Sequence, residues 1–226
     1  MQHKRLWIAL GCVLVVSFAV LGGMGVKIIS NAPPIPREVI TNDGRAVFNE
    51  ETIRRGQEVW QSLGGQEIGS IWGHGSYVAP DWTADWLHRE ATFILDRWAK
   101  EEGGENFEAL PLERKASLEA RLQKLERTNT YEALTGRLTI DPVRVDAFES
   151  LSQYYSSIFS EGRNEYAIPR GALTDKQKLR EMSSFFWWTS WAASTIGPPS
   201  QSRIPITGRT NRWSPTSRPA MRLYGA

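Results

Sequence analysis

The sequence predicts a mainly α-helical protein, with one membrane-crossing helix near the amino terminus followed by a single helical domain outside the cytoplasm. Three observations predict it. Leu6 to Val26 form 21 consecutive residues without a charge. Beyond Asn49, apolar side chains recur at three- and four-residue spacing in several segments that open on Asn, Asp or Pro and close on glycine or a polar turn. Strand-like alternation is confined to one short stretch, Leu134 to Ile140.

At 1.5 Å per residue the uncharged run spans about 30 Å, the hydrocarbon thickness of a bilayer. His3, Lys4 and Arg5 precede it and only Lys27 follows closely. The excess of positive charge therefore keeps the amino terminus in the cytoplasm and sends the rest of the chain across. Gly22, Gly23 and Gly25 are tolerated in such a helix. A cleaved signal peptide is the alternative, since Ser30-Asn31-Ala32 has the small-x-small form of a cleavage site. Against it, a signal core is usually only about 7–15 residues. Asn31 to Arg37, with three prolines, cannot continue a helix and reads as a stiff exit linker. Residues 1–30 are thus the anchor and 31–195 the exported domain, of a size that supports one core.

Asn49 to Ser62 is a helix capped by Asn49, with Glu50 and Glu51 where the dipole favours acids and Gly64-Gly65 at its end. Gly64 to Pro80 holds five glycines and reads as an irregular loop. Trp82 to Lys100 is helical again, capped by Asp81, and its face of Trp82, Trp86, Phe93, Leu95 and Trp98 supplies much of the core. After a glycine-rich acidic turn at Glu101 to Glu105, Leu112, Leu118, Leu122 and Leu125 mark an amphipathic helix with a charged, solvated face. Asp141-Pro142 opens a helix that buries Val145, Phe148, Leu151 and Tyr155. Thr174 to Ala193 changes from charged to aromatic, and its Phe185, Phe186, Trp187, Trp188 and Trp191 suit a membrane–water edge.

Composition excludes several functions. The single cysteine, Cys12, lies in the anchor, so the exported domain has neither an internal disulfide nor a Cys-x-x-Cys-His attachment for covalent haem. The net charge of +2 comes from the last 31 residues, whose five arginines face no acid and leave 22 basic and 25 acidic groups in residues 1–195. No basic cluster with interleaved aromatics precedes them, so nucleic acid is not an expected partner. His74, and His88 with Glu90, are the only candidate metal ligands. His88 and Glu90 lie two apart, on different faces of a helix, and make no metal motif. Gly73-His74-Gly75 is too short to argue phosphate binding, and no Ser-His-Asp or Gly-x-Ser-x-Gly arrangement supports a hydrolase. The tryptophans read as packing residues before they read as a ligand-stacking surface.

Two blocks carry a resemblance. Gly56-Gln57-Glu58-Val59-Trp60-Gln61 followed by the stretch from Gly69-Ser70-Ile71-Trp72-Gly73-His74-Gly75-Ser76-Tyr77 through Val78-Ala79-Pro80-Asp81-Trp82 to Arg89-Glu90 closely resembles the quinol-dependent nitric oxide reductases. Phe185 to Thr195 is similar to that family's approach to its second membrane helix. The resemblance implies a membrane helix and a cytochrome-c-like domain without haem, fused in the family to a large helix bundle of the haem-copper oxidase type. In that bundle a low-spin haem b passes quinol electrons to a high-spin haem b and a non-haem iron, where two nitric oxide molecules become nitrous oxide and water. The ligands of those centres are bundle histidines beyond this chain, so no catalytic residue and no haem is expected here and the chain alone is expected to be inactive. The resemblance further implies that backbone carbonyls of Gly75 and Tyr77 face a calcium ion. Two carbonyls are far short of the usual six to eight oxygens. The expected partners are the lipid bilayer, a multi-helix haem-containing membrane domain and, for the whole enzyme, quinol. The expected location is the bacterial inner membrane. A separately encoded haem protein, on which this chain docks as an anchored module, is the alternative.

The resemblance is expected to stop at Thr195. Residues 196–226 are rich in Ser, Thr, Pro and Arg without a period and read as a disordered tail. Regrouping the bases that could encode them by one frame yields strings such as Tyr-Thr-Asn-Asn-Trp-Pro-His-Glu-Pro-Leu-Val, similar to the family's next segment. A frameshift near Thr195 is therefore expected. An aromatic surface meant for the bundle would then lie exposed and favour aggregation.

Overall fold

The computed structural model describes residues 2–30 and 32–195. The expected frameshift and disordered tail at 196–226 lie outside the described residues.

The first unit is helix α1, Gln2–Ser30. Its stretch Lys4–Ile28 is long and apolar enough to cross a bilayer, and none of it is buried within the protein. Leu6, Val15 and Phe18 each present more than 60% of their surface. An apolar surface of that extent needs a lipid or protein covering.

The second unit holds five helices and a small sheet. The chain enters through β1 (Glu38–Thr41), turns at Gly44 (φ +82°), and returns as β2 (Ala46–Asn49). Helix α2 (Glu50–Ser62) follows without a linker because the Asn49 side chain caps it, accepting from the Thr52 amide at 3.0 Å. After a 3-10 turn at Gly65–Ile68 and the glycine loop comes α3 (Trp82–Glu101), then α4 (Leu112–Arg127). Strands β3 (Tyr131–Glu132) and β4 (Arg137–Ile140) lead into α5 (Pro142–Glu161), whose cap is Asp141 and whose first residue is proline. The last is α6 (Lys176–Ser194), capped by Asp175.

The sheet order is β2-β1-β4-β3, with β1 parallel to β4 and both outer pairs antiparallel. The parallel pairing sets Val39 beside Leu138, both fully buried. Only β4 has a counterpart in the sequence reading. Leu134, expected in the strand, lies instead in the β3–β4 turn with 99% of its surface exposed. Leu112, expected on the apolar face of α4, is 78% exposed, and that face rests on Leu118 and Leu122.

The aromatic segment of α6 is the main correction. Phe185, Phe186, Trp187, Trp188 and Trp191 are each at most 6% exposed, so they fill the domain core and form no membrane-edge belt. Trp82 stacks on Phe186 at 5.5 Å, Trp86 on Tyr155 at 5.3 Å, and Phe48 meets Trp187 edge-on at 5.1 Å. Helix α6 packs against α2, α3, α4 and α5. Its stretch 181–191 touches protein on every side, which is why bulky apolar side chains suit that stretch all round. The large aromatic surface expected to be exposed is therefore covered. On the domain the exposed large apolar residues are Trp72, Tyr77 and Val78 of the glycine loop, with Leu112 and Leu134.

Candidate functional site

The glycine loop, residues 69–80, is built around one carboxylate. Asp81 caps α3 through Oδ1, which accepts from the Ala84 amide at 2.9 Å, while Oδ2 accepts from Ser70 Oγ at 2.7 Å and the Gly73 amide at 2.6 Å. The loop base is further closed by Trp82 N–H donating to the Ser70 carbonyl at 2.8 Å. Gly69 must lack a side chain. It sits at φ +142°, and a Cβ there would lie 2.8 Å from Trp82 Cζ2 and nearer still to the indole nitrogen. Trp72 takes a left-handed conformation, φ +56°, uncommon for a side chain of that bulk. Three contacts hold it: its amide donates to Thr83 Oγ1 at 3.1 Å, its indole donates to the Thr189 carbonyl of α6 at 3.0 Å, and its ring lies 5.6 Å from Trp188.

Gly75 and Tyr77 lie at the tip. Gly75 adopts φ +80° with open space about it, and the Tyr77 side chain is 93% exposed. Neither carbonyl accepts a hydrogen bond among the described residues. Calcium needs about six to eight oxygens. The carboxylate at the base of the loop, Asp81, is committed to its three donors. Among the described residues no group of three His, Cys, Asp or Glu side chains could hold a metal. The loop's own donors thus make a fraction of a calcium sphere and no complete site.

His74 and His88 are not drawn together. His74 lies exposed in the loop with Nδ1 2.7 Å from the Ile71 carbonyl, and His88 is exposed on α3. Glu90, two residues on, points the opposite way and is fully buried. Its Oε2 accepts from Trp86 Nε1 at 3.0 Å, and its Oε1 accepts from Arg144 Nε of α5 at 2.6 Å. The Arg144 guanidinium lies 5.3 Å from the Trp187 ring centre. This buried ion pair was invisible in the sequence, because its partners stand 54 residues apart and each reads as an ordinary surface charge. A second polar group joins Asp85 to the core: its Oδ2 accepts from Tyr155 OH and from Arg89 Nε, both at 2.8 Å. Burial, reinforced by the Asp85 charge, pushes the Tyr155 hydroxyl well above the usual tyrosine range.

Glu126 completes the charged region. Burial raises its carboxyl from 4.5 to about 7, and the Glu90 charge adds to this while Arg144 opposes it. Unfolding releases this proton between those two values, so the contribution of Glu126 to stability falls as pH rises through that window. The expected consequence is a thermal midpoint lower at pH 8 than at pH 5, and Glu126→Gln should recover ~2 kcal/mol at pH 8. Identical pH profiles for the two proteins would contradict this. Asp81→Ala, which removes a cap and both loop ties, should cost about 2 kcal/mol. It should also speed hydrogen exchange at the Gly73 amide relative to the α5 amides.

Fold and site define a mainly helical domain that follows an apolar amino-terminal helix, closes its core with stacked rings and presents a shaped glycine loop at its surface. The chain belongs to the NorB family of nitric oxide reductases, whose cytochrome c-like domain matches residues 36–204. The match runs past Thr195, where the resemblance was expected to stop. No curated protein matches the sequence.

Proposed function

We propose that the chain supplies the amino-terminal anchor and haem-free exported domain of a quinol-dependent nitric oxide reductase. In this reading α1 crosses the bacterial inner membrane once, with the amino terminus in the cytoplasm. The domain packs on a haem-bearing helix bundle where electron transfer and nitric oxide reduction take place. The observation that carries the reading is the family match over residues 36–204, a cytochrome-c-like fold whose only described cysteine lies in α1. Covalent haem has no thiols to attach to in such a domain. A haem held by histidine fits poorly too, since His74 and His88 are exposed and the space between α3, α5 and α6 is filled by Trp82, Trp86, Tyr155 and Phe186. The domain's contribution is therefore structural: a rigid surface, with Trp72 pinned and Tyr77 and Val78 projecting, that meets the bundle. The Gly75 and Tyr77 carbonyls complete a calcium site only with oxygens from that partner. A separately encoded bundle would use the same surface.

The test is purification of the chain from membranes in detergent, alone and after co-production with a multi-helix haem protein of this family. Alone it should show no Soret absorbance and no nitric oxide consumption, and with the haem protein it should co-purify. A Soret band that survives purification of the chain alone would overturn the haem-free assignment.

A further inference from the structure

A cavity of about 310 Å³ lies between the end of α4, strand β4 and the start of α5. Arg121, Lys124 and Arg144 line it from the polar side, with Trp98, Ile140 and Trp191 among its apolar walls. The volume is at the lower end of ligand-binding clefts, about 300–1,000 Å³.

Arg144 is neutralised by Glu90, with Glu126 and Asp141 also acting on it, but two further cations of the lining, Arg121 and Lys124, are not balanced by an ion pair among the described residues. Arg144 is 4% exposed, and although its Nε is spent on Glu90, its Nη2 is buried without a hydrogen-bond partner. A buried guanidinium nitrogen left unpaired is costly unless something accepts from it. Arg121 lies flat on Trp98, 3.9 Å from the ring centre, which fixes its position without neutralising it. Neither Arg121 nor Lys124 has a described ion-pair partner. The one carboxylate in the lining, Asp141, is committed through Oδ1 to the Val143 amide as the cap of α5. Two unpaired cations and the orphaned Nη2 of a paired third thus border a recess lined by indole rings.

We propose that this cavity is a binding site for a small organic anion, a carboxylate carried on a short apolar body. The carboxylate sits among Arg121, Lys124 and Arg144, and the apolar body lies against Trp98 and Trp191. Guanidinium groups suit this chemistry because their planar fork matches a carboxylate. The indole walls favour an organic anion over a hydrated inorganic one.

The test is a fluorine NMR titration of 4-fluorobenzoate with the full chain in detergent micelles at pH 7, with empty micelles as the reference. Saturable binding with a Kd on the order of 1 mM is expected, weakened about tenfold in Arg121→Gln/Lys124→Gln, whose side chains are exposed so that the fold is retained. Lys100→Gln, an exposed cation on α3 outside the cavity, should leave the Kd unchanged. Absence of saturable binding, equal affinity in the double variant, or equal affinity for uncharged 4-fluorobenzyl alcohol would overturn the assignment.

Discussion

Replacing Arg144 by methionine is expected to lower the unfolding free energy by about 3–5 kcal/mol, because it strands a buried Glu90 carboxylate without its counterion. Glu90 is fully buried and Arg144 nearly so, with 2.6 Å between them. Methionine offers the Glu90 carboxylate no donor and no charge in exchange. The Trp86 indole would still donate to Glu90 at 3.0 Å, but one neutral donor does not balance a charge. Glu90→Leu/Arg144→Met, which removes both charges and keeps their volume, should recover most of the loss, since buried ion pairs are often replaceable by packed apolar residues. Denaturant unfolding of the unaltered protein and the two variants measures both numbers. A single substitution costing under ~1 kcal/mol would show that the pair is hydrated and that the arrangement of α3 against α5 does not depend on it.

The second large effect is expected at Gly56. On α2 this residue faces α6 so closely that an added Cβ would stand 2.6 Å from the Glu181 carbonyl carbon, closer still to its oxygen, and 2.9 Å from Phe185 Cβ. The obstacle is backbone, which cannot rotate aside. Gly56→Ala must therefore push the two helices apart along their contact, loosening Trp60 against Phe185, whose rings are 5.6 Å apart. Overpacking of this kind costs about 1–3 kcal/mol, and more where backbone is the obstacle. At an open helical position the same change would stabilise by ~1 kcal/mol. The sign of the effect is thus the measurement: a thermal midpoint that rises in Gly56→Ala would mean that α2 and α6 do not meet at this distance.

Gly56 also shows what was legible in the sequence. It stands in the middle of a run with strong helical spacing, where glycine is otherwise a penalty, and it belongs to one of the two blocks that resemble the family. Four of the five domain helices announce their start locally, through Asn49, Asp81, Asp141-Pro142 and Asp175, while α4, which opens on Pro111 without a side-chain cap, was legible from its leucine spacing alone. Strands β1 and β2 were not, because four-residue strands carry too few alternations to stand out and the pairing of β1 with β4 bridges nearly 100 residues. The aromatic end of α6 was misread for a physical reason: an all-round apolar helix looks the same whether protein or lipid surrounds it. The glycine loop was placed correctly as irregular, but its dependence on Asp81 appeared only when that residue proved to serve the loop and the helix together. The Glu90, Arg144 and Glu126 charges could not be foreseen, since burial is a property of the assembled helices.

The position of α6 has a bearing on biogenesis. The helix that closes the core is also the last one described, and four earlier helices rest on its rings. A chain threaded through an export channel from its amino terminus cannot complete this core until residues 185–191 have emerged. Until then Trp82, Trp86 and Tyr155 have no lid. In the exported topology proposed above, translocation would therefore come before completion of the core, and a chain halted upstream of α6 would leave those rings uncovered.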